Sequence, residues 1–272
     1  MRLRVVLYCL IGGMPLTVAA LGGGHFIWWW LSGILCAASF VPVALFGPRK
    51  ASGQFGVILP VFLIVTVLCL WSETLIFVPS YIQIAGRILV SSAVMYGMVA
   101  AVLALLAVSL RLSKPGEPVM QHRPMVSAAF MTLASGFAYV LYYLGFGAIT
   151  YQFFTKGYYP EAPQAVARLG IWFWVIQLGR GVLMTLAIVP IIYTLRMKRW
   201  HAAVAVGSIL WITGGAAPLV VPNDLMGATL RFIHTAEIFT QNFSFGVTAV
   251  LLLRPKPAHA AKKPPAISPV AV

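Results

Sequence analysis

Charge is what this 272-residue chain has least of: 9% of its residues are Asp, Glu, Lys or Arg, and only 5 of those are acidic. A soluble domain of this size carries about 25%. So sparse a charge excludes an ordinary soluble protein and a charge-rich disordered chain. Cysteine is scarce too. Cys9, Cys36 and Cys69 all lie inside apolar runs, with no CxxC or Cys/His spacing, which excludes a disulfide framework and a zinc site. HExxH, GxSxG and a histidine cluster suited to di-iron are missing. The last apolar run lacks a lysine, so a retinal Schiff base has no anchor.

What is there is apolar. Hydrophobic residues make up 61% of the chain and its mean hydropathy is +0.93. Eight runs approach the roughly 20 residues that a helix needs to cross a bilayer. They fall near 3–21, 26–46, 55–78, 88–110, 125–149, 169–194, 202–221 and 225–253. Clusters such as Gly22-Gly23-Gly24-His25, Pro48-Arg49-Lys50 and Pro222-Asn223-Asp224 separate them. The expectation is an all-α, polytopic integral membrane helix bundle: a transmembrane domain over 1–254 with about eight spans, then a disordered cytoplasmic tail over 255–272, rich in Pro, Ala and Lys.

The net charge of +14 follows from topology and does not indicate nucleic acid. With eight spans, one side of the membrane receives Arg2, Arg4, Arg49, Lys50, Arg111, Lys114, Arg123, Arg196, Lys198, Arg199, Arg254, Lys256, Lys262 and Lys263. The other receives Arg87, Lys156 and Arg168. This split predicts both termini in the cytoplasm and a multi-pass protein of a bacterial inner membrane. Arg2, Arg4 and the Thr17-Val18-Ala19-Ala20 segment also fit a cleaved signal peptide. The charge alternation from the first residue favours a retained helix.

Polar residues inside spans are costly, about 2.5–3.5 kcal/mol for a mid-bilayer charge on insertion scales. The last span is the densest: Arg231, His234, Glu237, Gln241 and Asn242. At about 100° per residue all five fall on one side of a regular α-helix, which therefore faces the bundle or a wet cavity. With a rise of about 1.5 Å per residue, Arg231, His234 and Glu237 lie roughly 9, 14 and 18 Å below the outer boundary. Gln177 and Arg180, on the span that also enters from outside, lie roughly 12 and 17 Å deep. Matching depth predicts an Arg180–Glu237 pair. Glu73 lies near the outer end of its span, Arg87 opens the next, and Thr132, Ser135, Tyr139 and Tyr142 form a stripe. The connector after that stripe is aromatic, with Tyr151, Phe153, Phe154, Tyr158 and Tyr159.

The candidate ligand-binding set is thus Arg180, Arg231, His234, Glu237, Tyr139, Gln241, Asn242, Glu73 and Arg87, with no metal among its expected contents. Three arginines against two glutamates leave a net +1, which suits a small anionic or amphipathic molecule bound or transported from the outer leaflet. Apolar cytoplasmic halves favour a one-sided site over a through-path. Two other readings compete. One is an intramembrane enzyme acting on a lipid or isoprenoid-like substrate with a buried Glu as general acid. The other is a haem or quinone carrier using His25 and His234. Neither the catalytic residues nor the cofactor is legible at this level. The expected partners are the lipid bilayer and that small ligand.

Overall fold

A computed structural model describes residues 1–18, 24–117, 123–223 and 226–255. The tail expected to be disordered lies, apart from Pro255, outside the described residues. Helices carry nearly all of what is described, and the one β interaction among the described residues is an isolated bridge between Asn223 and Met226. The chain is an all-helical, multi-pass bundle. Seven described helices are long and apolar enough to cross a membrane. We number the helices α1 (Arg2–Gly12), α2 (Met14–Val18), α3 (Phe26–Phe46), α4 (Ala51–Phe77), α5 (Pro79–Ser109), α6 (Met125–Thr155), α7 (Ala162–Leu169), α8 (Ile171–Thr194), α9 (Arg199–Val220) and α10 (Ala228–Leu253). All but α1, α2 and α7 are the candidate spans. The first apolar run forms the short pair α1–α2 and lies against α3 and α5; its expected last residues, 19–21, lie outside the described set.

Two boundaries differ most from the sequence expectation, each for a local reason. Proline at the head of α5 starts a 3-10 turn, because its fixed φ and missing N–H suit a helix start. Helix therefore begins at Pro79, and Arg87 stands about two turns inside α5 rather than opening it. At the other boundary α6 continues to Thr155 through a wide π-turn, and a short amphipathic helix, α7, follows before α8.

Glycine pairs set the closest crossings. A Cβ on Gly33 would stand 2.2 Å from the Gly13 carbonyl oxygen, one on Gly181 2.7 Å from that of Gly136, and one on Gly246 2.7 Å from the Gly207 Cα. Small residues let backbones touch, which is how helices associate where lipid supplies no hydrophobic drive. The α9–α10, α4–α5 and α6–α10 pairs form the most extensive packing, and α8 also lies against α6. On the outside, α5 presents Val90, Val94, Met98 and Leu105 as an exposed apolar strip, as a lipid-facing helix should.

Arginines close one end of the bundle by capping helix C-termini. Arg196 donates through Nε to the Phe46 carbonyl (3.3 Å) and through Nη2 to that of Gly47 (3.2 Å), at the end of α3. Arg254 Nη2 donates to the Leu195 carbonyl beyond α8 (2.8 Å). Arg199 reaches the Leu251 carbonyl and Arg123 Nε that of Leu253 (2.9 Å), both in the last turn of α10. A cation on the last carbonyls offsets the partial negative charge of a helix C-terminus. Arg254 is only 1% exposed. Arg254→Ala should therefore cost about 1–3 kcal/mol, by leaving the Leu195 carbonyl without this donor. The check is the melting temperature in detergent; an unchanged value would remove the cap from the list of stabilising contacts.

Candidate functional site

In the middle of the spans, displaced from the arginine-capped end, three helices widen at the same place. α4 runs as π-helix over Phe62–Cys69, α9 over Ile212–Ala216 and α10 over Phe239–Phe243. A wide turn displaces carbonyls from their usual partners, and side chains answer some of them. Thr66 Oγ1 donates to the Thr213 carbonyl (2.9 Å) and Asn242 Nδ2 to that of Leu210 (3.3 Å). Between the widened turns lies a cavity of about 20 Å³, bordered by Val65, Cys69, Glu73, Tyr139, Arg180, Gly214, Gln241 and Asn242 among others. That volume holds about one water molecule.

The charged centre on its wall is Arg180. The residue is 7% exposed. Its Nη2 donates to Glu73 Oε2 at 2.7 Å, and its Nη1 to Gln177 Oε1 at 2.8 Å, one turn back on α8. The guanidinium carbon lies 5.8 Å from the Tyr139 ring centroid and 5.6 Å from that of Tyr143, within cation–π range. Tyr143 also donates its hydroxyl to Glu73 Oε1 at 3.0 Å. Both glutamate oxygens are thus filled. α6 and α8 meet closely here because Gly181 abuts Gly136 and the Tyr139 Cβ, which draws Arg180 and Tyr139 together.

The expected Arg180–Glu237 pair does not form. Depth along the bilayer normal says nothing about which face of a helix looks where, and a long arginine side chain can reach a carboxylate at another level. Glu237 instead accepts from His234 Nδ1 (2.9 Å) and from Gln241 Nε2 (3.0 Å), one turn either side of it on α10. This second cluster packs against Gly147 of α6, and the Tyr159 ring lies 5.8 Å from the His234 ring. The turn that carries Tyr159, after the π-turn of α6, therefore lies beside His234, while α7 packs on α4 and α8 before Gly170 at φ +53°.

The remaining candidates separate. Arg231 donates long hydrogen bonds to the Leu219 and Val220 carbonyls at the end of α9 (3.5 and 3.4 Å) and does not border the cavity. Arg87 is exposed on α5, outside both clusters. The 100° spacing of α10 breaks at its π-turn, so Asn242 turns to α9 while Gln241 stays with Glu237. Tyr142 bonds Thr248 Oγ1 at 2.8 Å, apart from the Arg180 centre. His25, needed for a bis-histidine haem, is exposed at the head of α3. Among the described residues no group of three or more His, Cys, Asp and Glu could hold a metal ion.

Tyr143, Gln177 and Cys69 join the site although they are not in the expected set. Tyr143 follows the predicted stripe by one position, and Gln177 sits one turn from Arg180, the spacing at which a side-chain pair forms on a helix. Cys69 carried no signal beyond its apolar surroundings.

Together the two clusters form a partly buried polar centre whose carboxylate oxygens all make hydrogen bonds. Both Glu73 oxygens and both Glu237 oxygens receive hydrogen bonds. In these clusters Gln177 Nε2, Arg180 Nε and His234 Nε2 are buried with no hydrogen-bond partner, as is Arg231 Nε apart from them beside the end of α9. Of the three in the clusters, Gln177 Nε2 and Arg180 Nε are donors only. His234 Nε2 accepts or donates according to the tautomer and protonation of the ring. Compared with known protein families, with curated proteins and with solved structures, the chain matches none.

Proposed function

We propose that this is a cell-membrane protein with both termini in the cytoplasm, the α1–α2 pair completing an eight-pass threading, and that the polar centre in the outer half of its bundle binds a small acceptor-rich molecule. A carboxylate or phosphate group, alone or on an amphipathic carrier, fits best. The observation that carries this reading is the donor surplus. Each buried donor left unmade costs about 1–3 kcal/mol, so a protein that retains several has a use for them. The orientation rests on the division of Lys and Arg between the two ends. Reporter fusions after Ser80 and after Arg199 should report outside and inside respectively; the reverse, or one side for both, defeats the threading.

A one-water cavity cannot hold such a ligand as it stands, so entry requires rearrangement. The segment between α6 and α8, which sets Tyr159 beside His234, is the part placed to move. At the far end the arginine caps tie α3, α8 and α10 together, which favours a one-sided site over transport through the bundle.

The general-acid reading is weaker. Glu73 and Glu237 each accept on both oxygens, an arrangement that suits carboxylates rather than proton donors. Two variants separate binding from scaffolding. Glu237→Gln and His234→Ala should lower the melting temperature by only a few degrees while changing the thermal shift given by added succinate or inorganic phosphate, the first enlarging it by removing a negative charge and the second reducing it by removing a ring nitrogen that can donate. If both variants lose stability and keep the wild-type response to those anions, the α10 cluster is scaffold.

A further inference from the structure

The end of the bundle capped by arginines holds a second grouping of charge, distinct from the buried centre. Three connectors interlock there. The Lys114 amide donates to the Leu45 carbonyl at 2.8 Å, the Arg196 amide to that of Phe46 at 2.9 Å, and the Glu117 amide to that of Arg196 at 3.0 Å. Gln54, 1% exposed, clamps the first connector from below, its Nε2 donating to the Val43 and Pro48 carbonyls at 3.0 and 2.6 Å. A Cβ on Gly116 would stand 2.3 Å from the Arg196 carbonyl oxygen, so the connectors lie backbone to backbone.

On this rigid frame stand Arg49, Lys50, Lys114 and Arg196. Arg49 and Lys50 are exposed, and Lys114 and Arg196 are partly so. Arg196 sits on the Phe46 and Gly47 carbonyls, the latter two residues before Arg49, and burial and then Arg49 hold its guanidinium below its usual basicity. The sequence places a single acidic residue at this end, Glu117, and its charge acts on Arg254. Four cations therefore stand on backbone segments that touch one another, opposed by one carboxylate, at the helix ends where a bilayer's headgroups would lie.

We propose that this interlocked face binds the phosphate headgroup of an anionic phospholipid. Fixed connectors spare the ordering cost that flexible basic loops would incur. Clustered Lys and Arg beside a span are suited to anionic lipid. The diester phosphate accepts hydrogen bonds from guanidinium and ammonium alike.

The test is native mass spectrometry of the purified full chain in detergent, with phosphatidylglycerol or phosphatidylcholine added in equal amounts. The wild type should retain phosphatidylglycerol preferentially. The triple variant Arg49→Gln, Lys50→Gln, Lys114→Gln leaves the backbone interlock and Arg196 in place, and it should lose about five-fold in retention for each charge removed. A second triple variant, Arg87→Gln, Lys156→Gln, Arg168→Gln, should keep the wild-type preference. Equal retention of the two lipids, a first triple variant that behaves as wild type, or a second that loses the preference equally would overturn the proposal. So would displacement of the lipid by millimolar inorganic phosphate, which would assign the face to a free anion instead.

Discussion

Glu73→Ala should lower the stability of the bundle by about 3 kcal/mol, the low end of the range for breaking a buried ion pair. The cost arises because Arg180, with its side chain 8% exposed, would lose its only carboxylate while remaining within the helices. The low end applies because the Glu73 side chain keeps 36% exposure. Removing both partners should cost far less. In Glu73→Leu, Arg180→Met no charge is left unpaired, and an apolar pair of similar volume often equals or exceeds the ion pair it replaces. Melting temperatures of the single and double variants in one detergent give the comparison. A double variant as unstable as the single would mean that the loss comes from Tyr143, Gln177 and the cavity wall rather than from the lone charge. A stable double variant that no longer responds to anions would place the arginine in the chain for binding.

A second large effect is expected one residue along. Gly181→Val should destabilise by at least about 1–3 kcal/mol, the usual cost of overpacking. Here the clash is with backbone, since even a Cβ would stand 2.7 Å from the Gly136 oxygen and 2.8 Å from the Tyr139 Cβ. Neither can yield without separating α6 from α8, which also draws Tyr139 away from Arg180. Gly179→Ala is the control on the same helix. That Cβ meets nothing within 4 Å, so stability should hold or rise by up to about 1 kcal/mol from helix propensity. Equal losses in the two variants would mean that α8 tolerates no side chain for reasons other than this crossing.

Much of the architecture was legible in the sequence because lipid imposes a simple rule. A span needs length and apolarity, and seven of the eight runs form helices that meet it. The concentration of polar groups on the last span was legible for the same reason, since each is expensive there. Partner choice was not. Hydropathy and rise give depth, whereas pairing depends on azimuth, and azimuth changes wherever a helix widens. Three π-turns around the cavity do so, and Asn242 and Gln241 part company at one of them. Glu73 therefore took the arginine expected for Glu237, and Glu237 turned to neighbours on its own helix. The arginine caps were half legible. Arg123, Arg196, Arg199 and Arg254 contributed to the charge split, but their hydrogen bonds to carbonyls of α3, α8 and α10 depend on packing that the sequence does not display.

The central claim is that the buried donors of the polar centre serve a ligand rather than the fold, and a titration tests it most directly. Wild-type protein in detergent would be heated with succinate, inorganic phosphate and a short alkyl phosphate, and with choline and ethylammonium as cationic counterparts, beside Glu73→Leu, Arg180→Met. The account predicts a melting temperature that rises with concentration for at least one anion, no rise with either cation, and no rise with any compound in the double variant. Stabilisation by the cations, or an equal rise with anions in the double variant, would contradict it.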